Sequence, residues 1–509
     1  MSYLLGLDIG TSGTKSVLFD ETGVPAASFT SEYPMEQPKP GWAEQDPECW
    51  WQAAAESISA VLTQSGIDAG EIAGVGLSGQ MHSLVCLDAD GRVLRKAILW
   101  CDQRTAESAQ ALTDLVGRDT LVSVTANPAM TCFTAAMLLW VRTHEPEIYE
   151  KTRKILLPKD YIRYRLTGEF ATEVSDASGM QLLDVPNRCW SQKLLDILEI
   201  DRSLLADVYE SVAVSGRISP EAARLTGLKA GTPVVGGAGD QAAGGVGNGI
   251  VRTGAVSATI GTSGVVFAHT DRMLLAPHGR VHTLCHAVPG CWHIMGVTQA
   301  AGLSLKWFRE QFCGSEAAVS QRTGEDVYAL LDREAARVPA GCSGLFYLPY
   351  LMGERTPHLD PYARGVFFGL SAMHTRADML RAVMEGVSYS LKDCMEILRK
   401  MGVPVTEVRA SGGGGKSPLW RQMLADMFGK KVTTNVSEGP ALGAAILAGA
   451  GTGVYGSVEE GCDAVLRQKT MQKPDPAARR IYQARYPIYQ SLYRSLKKEF
   501  VRLQQLDEV

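Results

Sequence analysis

The chain has 509 residues, 45% hydrophobic and 21% charged, with a net charge of −5 at pH 7. That apolar content fills two cores, and the mild acidic excess argues against a nucleic-acid surface, which needs clustered Lys and Arg. No apolar run reaches the roughly 18 residues of a spanning helix, and Met1 to Gly10 lacks a basic leader and carries Asp8 in its apolar run. The 11 cysteines, with no Cys-x-x-Cys pair, fit thiols kept reduced in a cytoplasm.

Alternating apolar residues predict strands at Tyr3 to Asp8 and Lys15 to Phe19, closed by the pentapeptide Ile9-Gly-Thr-Ser-Gly13. Trp50 to Leu62 has a helical pattern. Val75 to Leu77 and Leu84 to Leu87 are expected strands on either side of Gly79-Gln80-Met81-His82, and helices follow at Thr134 to Val141 and Lys159 to Leu166. Gly74-Val-Gly-Leu-Ser-Gly79 matches a dinucleotide fingerprint by letters, but its glycines fall inside the strand and no helix follows.

The stretch from Pro233 to Gly249 is glycine-rich and marks the expected domain boundary and hinge, giving domains 1–249 and 250–509. Just beyond it the pentapeptide returns at Ile260 to Gly264, between expected strands at Ala255 to Ile260 and Val265 to Ala268. Glycines around Thr and Ser at a hairpin tip leave backbone N–H groups and hydroxyls free for phosphate oxygens. Two such loops imply two related halves with a nucleotide between them.

His282, Cys285, His286, Cys291 and His293 crowd one short segment, but Pro289-Gly290 predicts a hairpin turn there and the spacing favours packed strand residues over a zinc site. Helices are expected at Leu303 to Gln311 and Ala377 to Met401, then a strand at Glu407 to Ala410. Ser411 to Ser417 nearly spells a P-loop, with Ala410 where glycine is required and broken spacing; its bare turn before a helix at Pro418 can still accept an adenine face or a phosphate. Ala477 to Leu506 closes the chain as a helix with Tyr482, Tyr486, Tyr489 and Tyr493 at packing spacing and a kink at Pro487.

Two carboxylates stand out. Asp8 ends a strand just before a phosphate-sized loop, where an oxygen ligand for Mg²⁺ belongs. Asp240, at the seam between halves, can accept a proton from a bound hydroxyl or cap a helix starting at Gln241.

These residues resemble the FGGY carbohydrate kinases of the actin-like ATPase superfamily over nearly the whole length. The marks are Gly6 to Gly13, Gly41-Trp-Ala-Glu-Gln-Asp-Pro47, Gly79-Gln-Met-His82, Leu157-Pro-Lys-Asp-Tyr161, Gly353-Glu-Arg-Thr-Pro-His358, and Gly365-Val-Phe-Phe-Gly-Leu370 with Asp378 and Glu385. The resemblance implies an α/β fold of two actin-like, ribonuclease H-like domains, each a mixed sheet flanked by helices, with a nucleotide cleft between them and the last helices packing back on the interdomain region. It implies transfer of a phosphoryl group from ATP, with Mg²⁺, to a small sugar, with Met81-His82 favouring a ketopentose; a homodimer is compatible with it. By position, Asp240 is the expected base and Asp8 the Mg²⁺ ligand. Met81, His82, Asp102 and Gln241 are the expected sugar contacts. Thr11, Ser12, Gly261 and Thr262 would line the phosphates, and Gly302, Lys306, Gly413 and Ser417 would bracket the nucleotide. The chain departs from the family pattern at Cys132 and Met137, and at Ser83 and Cys101 beside the sugar motifs.

Overall fold

A computed structural model describes residues 2–276 and 279–507. In the N-terminal half, β1 (Tyr3–Ile9), β2 (Gly13–Asp20) and β3 (Pro25–Glu32) form an antiparallel meander. Helix α1 (Pro47–Ser65) follows, set at its start by Asp46, which accepts from the Glu48 N–H, and by Pro47, and stopped by left-handed Gly66. It returns the chain to β4 (Ile72–Gly79), parallel to β1.

Helices α2 (Thr134–His144) and α3 (Pro158–Thr167) come next, and β5 (Val214–Arg217), β6 (Pro233–Val235) and β7 (Ala238–Gly239) complete the sheet in the order β5-β6-β4-β1-β2-β3, with β7 also on β4. The 74–79 glycines lie in β4, so no dinucleotide turn exists there.

The segment expected to hinge is instead helix α4 (Asp240–Gly247). In the C-terminal half, β8 (Gly254–Ile260), β9 (Gly264–Thr270), β10 (His282–Cys285) and β11 (Trp292–Thr298) are antiparallel neighbours. After α5 (Gly302–Phe312) and α6 (Arg376–Lys400), β12 (Val405–Ser411) runs parallel to β8. Then come α7 (Pro418–Phe428), β13 (Val432–Asn435), α8 (Pro440–Gly451), β14 (Gln468–Gln472) and α9 (Pro476–Asp507). The second sheet, β10-β11-β9-β8-β12-β13-β14, repeats the first: a hairpin whose first strand gains a parallel neighbour.

The two sheets are joined by α4 and α8, and glycine is what lets them meet. A Cβ on Gly443 would stand 1.9 Å from the Ala243 carbonyl oxygen, and one on Gly247 would stand 2.1 Å from that of Gly439. Glycines that suggested a flexible hinge therefore mark backbone-to-backbone packing. A second correction concerns α9, whose Tyr482, Tyr489 and Tyr493 are buried in the C-terminal core and do not return to the domain seam. Tyr482 Oη donates to Glu385 at 2.9 Å and Tyr493 Oη to Asp360 at 2.7 Å, and the helix runs unbroken through Pro487. Among the described residues no helix is long and apolar enough to cross a membrane.

Candidate active site

Parallel strands end together where β1, β4 and β7 lie side by side. Asp8 and Ala238 are both in register with Ser78, and Ile9 and Gly239 with Gly79. Asp8 on β1 and Asp240, two residues beyond Ala238, thus emerge at one edge, each half-buried. The cap of α4 is Gly239, with no side-chain hydrogen bond, so Asp240 is the first helical residue and its carboxylate is not consumed in capping. Burial, then the charge of Asp8, push the Asp240 acid up to about 7, against the opposing pull of Gln241. Burial also raises the Asp8 acid, opposed by Ser78, whose Oγ donates at 3.1 Å, and by Lys15. Two nearby carboxylates form a hard oxygen donor set suited to Mg²⁺.

The first loop is braced from three sides. Gln45 Nε2 donates to the Thr11 carbonyl at 2.6 Å, Thr11 Oγ1 donates to Gln80 Oε1 at 3.2 Å, and Trp100 Nε1 donates to Thr11 Oγ1 at 3.1 Å. Ser12 sits exposed at the tip, with its carbonyl accepting from the Tyr33 N–H.

The second loop is latched to the start of α5. The N–H groups of Ala301 and Leu303 donate to the Thr262 carbonyl and that of Gly302 to the Gly261 carbonyl. Gly261, Thr262, Gly302, Lys306, Gly413 and Ser417 all line one cavity of about 540 Å³ with Leu303, Tyr328 and Trp420. Ser417 also caps α7, accepting from the Trp420 N–H at 3.0 Å. A second cavity of about 590 Å³ lies between the domains, lined by Lys15 from the strand after the first loop and by Lys416, which borders both spaces. Thr11 and Ser12 line neither.

A Cβ at Gly302 would stand 2.4 Å from the Gly261 carbonyl oxygen. Gly302→Ala is therefore expected to raise the KM for ATP about tenfold or more while the sugar KM changes less than twofold, a split read by steady-state titration of each substrate. Equal shifts in both constants would count against a nucleotide role for this cavity.

Met81 and His82 lie on the same edge. Met81 is buried against Gly239 and, across the domain seam, in an apolar cluster with Ile250, Val265, Phe267, Leu284 and Met295. His82 is held at a left-handed φ of 71°, a strained conformation of the kind stored at ligand sites. Its carbonyl accepts from Thr134 Oγ1 at 2.7 Å, and its ring meets Phe133 at 4.6 Å. Nδ1 has no hydrogen-bond partner of good geometry, although the Gly179 backbone beside it slightly favours protonation. Burial and the Arg355 guanidinium lower the imidazolium pKa to about 3, so His82 is neutral and available to hydroxyls.

Gly179 leaves room for that ring: a Cβ there would fall 2.0 Å from His82 Nδ1. Gly179→Ala should weaken the sugar KM by about tenfold with the ATP KM preserved; an unchanged sugar KM would detach His82 from substrate.

Asp102 departs from its expected place. It is fully buried and saturated, accepting from Arg104 Nη2 at 2.7 Å, Arg104 Nε at 3.0 Å and the Ala43 N–H at 2.6 Å. The Asp-x-Arg spacing could have revealed this. The ion pair anchors the turn that presents Trp100, a partly exposed indole beside Thr11 that went unnoticed in the sequence. Arg355 was also missed as a functional residue. Glu354 pins its loop by accepting from the Gln299 and Arg355 N–H groups, and the guanidinium influences His282 in its own half and, across the domains, His82 and Cys132.

Residues 3–247 match the N-terminal domain of the FGGY family of carbohydrate kinases and residues 256–452 its C-terminal domain. The chain belongs to this family. It is 40% identical over 497 residues to the xylulose kinase of Escherichia coli (strain K12), covering 97% of this chain and 99% of that one. Against the xylulose kinase of Bacillus subtilis (strain 168) it is 38% identical over 498 residues, 98% of each chain. The crystal structure of ligand-bound xylulose kinase from Lactobacillus acidophilus superposes with a TM-score of 0.91 at 30% identity, covering 99% of this chain and 100% of that one. The FGGY kinase described here thus carries the two-domain fold of its family, an enzyme class that uses ATP as phosphoryl donor.

Proposed function

We propose that this kinase transfers the γ-phosphate of ATP to the primary hydroxyl of D-xylulose, giving D-xylulose 5-phosphate, in the cytoplasm. The observation that carries the chemistry is the Asp8–Asp240 pair at the joined strand ends, with one acid tuned to about 7. The choice of sugar is supported by full-length similarity to xylulose kinases.

Phosphoryl transfer needs an alcohol placed in line with the terminal phosphorus and donors for the equatorial oxygens. Asp240 orients the hydroxyl and takes its proton as the new bond forms; a pKa near working pH suits that exchange. His82 and Gln241 hold the remaining hydroxyls, Met81 shapes the floor, and Asp102 acts at one remove by fixing Trp100. Thr11, Ser12, Gly261 and Thr262 surround the phosphates from both domains, while Gly302, Lys306, Gly413 and Ser417 hold the nucleoside. Asp8, with Asp240 beside it, would hold Mg²⁺, which when bound supplies positive charge against the phosphate oxygens.

A panel of D-xylulose, L-ribulose, D-gluconate, L-fuculose and glycerol assayed by ADP release tests the reading. D-Xylulose should give the highest kcat/KM; a higher value for any other member reassigns the substrate. Sugar-independent ATP hydrolysis at the same rate would remove the kinase function itself.

A further inference from the structure

Far from the strand-end carboxylates, the register of β9 and β11 assembles a second group of chemically capable side chains. His269 pairs with His293 and Thr270 with Trp292, so the next step outward brings Asp271 opposite Cys291. Alternation along a strand then puts His269, Asp271, Cys291 and His293 on one face. One donor atom from each of His269, Asp271 and Cys291 lies within 4.8 Å of the others.

The surroundings fit a ligand set. His269 is buried, and one of its nitrogens meets Asp271 Oδ1 at 2.9 Å while Nδ1 has no partner. Neither nitrogen of neighbouring His293 has a hydrogen-bond partner of good geometry, although the Cys285 backbone lies beside the ring. The other Asp271 oxygen accepts from Thr253 Oγ1 at 2.6 Å, an outer contact of the kind that orients metal ligands. The Asp271 side chain is 71% exposed, which gives an ion a way in. His286 is excluded, because Nε2 meets the Ile250 carbonyl and Nδ1 accepts from the Val288 N–H.

The geometry points to a binding site for a borderline divalent cation of the zinc type, held by the Cys291 thiolate, a His269 nitrogen and an Asp271 oxygen. Thiolate and imidazole select against Mg²⁺ and Ca²⁺, and three protein ligands leave a coordination position for water. A Cys–His–Asp nucleophile is the competing use of such a trio. A cation at this site would displace the thiol proton directly. The site also touches the domain seam: the Cys291 carbonyl accepts from Arg188 Nη1 at 2.8 Å, and Trp292 Nε1 donates to the Val185 carbonyl at 3.1 Å.

The test uses the full-length, metal-stripped protein, titrated with Zn²⁺ against a chromophoric chelator and with Co²⁺ as a spectroscopic probe. Wild type should bind one equivalent of Co²⁺ with a thiolate-to-cobalt absorption band. Cys291→Ser should abolish that band, and Cys291→Ser and the surface variant Asp271→Asn should each weaken Zn²⁺ at least about tenfold. Cys189→Ser, which removes an exposed thiol elsewhere, should change nothing. Absence of binding in wild type, or equal affinity in wild type, Cys291→Ser and Asp271→Asn, overturns the assignment. Sugar-kinase activity of each zinc-free variant, assayed with Mg²⁺ and expected at the wild-type level, verifies that the fold is intact.

Discussion

Asp240→Asn is expected to lower kcat by about 10³ while D-xylulose still binds, because a positioned general base contributes about 10² to 10⁴. Retention of more than about a tenth of the wild-type kcat, a barrier change under roughly 1.4 kcal/mol, would transfer the proton-accepting role to another group. In the wild type kcat/KM for sugar should fall as pH drops below about 7, where the free-enzyme carboxylate takes up its proton.

The same substitution carries a signature in stability. The Asp240 pKa is raised from 3.8 to about 7 on folding, so between those values the folded chain binds more protons than the unfolded one. Stability associated with this group is therefore full below about pH 4 and is lost as pH rises through 7. Asp240→Asn escapes that loss and should be more stable than wild type at pH 8, by on the order of 2–4 kcal/mol. Denaturation curves at pH 4 and pH 8 provide the check: the gap must open with rising pH, and a gap independent of pH would contradict a carboxylate strained by burial.

The second large effect lies beneath the strand ends. Lys159 on α3 is 0% exposed, with Nζ 2.7 Å from Asp160, 3.3 Å from Glu173 and 3.3 Å from Asp176. Arg163 also pairs with Asp160 at 2.7 Å. Burial pushes the Asp176 acid well up, against the opposing pull of the Lys159 ammonium. Glu173 accepts from Ser175 Oγ at 3.0 Å, and that hydroxyl accepts from the Gly239 N–H at 3.1 Å, which ties the network to the backbone just ahead of Asp240.

Lys159→Met leaves Glu173 and Asp176 without their cation, Asp160 keeping Arg163, and should cost about 3–5 kcal/mol, as breaking buried pairs does. Urea denaturation measures the loss. A cost below about 1 kcal/mol, within the range of an exposed pair, would mean that water reaches the network.

How much of this was legible depended on the range of the determining contacts. The hairpins, their Gly-Thr-Ser-Gly tips and α6 are set by local alternation and helical period, and their expected spans lie within a few residues of the observed ones. The turn expected at Pro289-Gly290 is also present. The trio at β9 and β11 escaped because His269 and Asp271 join Cys291 only through strand pairing.

The helix expected to start at Gln241 is α4, which begins one residue earlier, at Asp240; that its glycines serve a partner roughly two hundred residues away leaves no local signal. Lys159 lay inside a correctly expected helix, yet only the folded chain reveals that its charge is interior. Trp100 and Arg355 gain their positions from tertiary contacts, whereas the six residues proposed to hold the nucleotide were named through family resemblance, and the structure gathers them around one cavity.

Where α4 crosses α8, main chain meets main chain at Gly247 and Gly443, among small apolar side chains such as Ala242 and Ala445. At those two glycines no side chain stands in the contact to turn aside or repack, so the smallest added group is felt by both lobes at once. The spacing of the two lobes is in that sense written in hydrogen atoms, at positions where any larger substituent would act as a wedge.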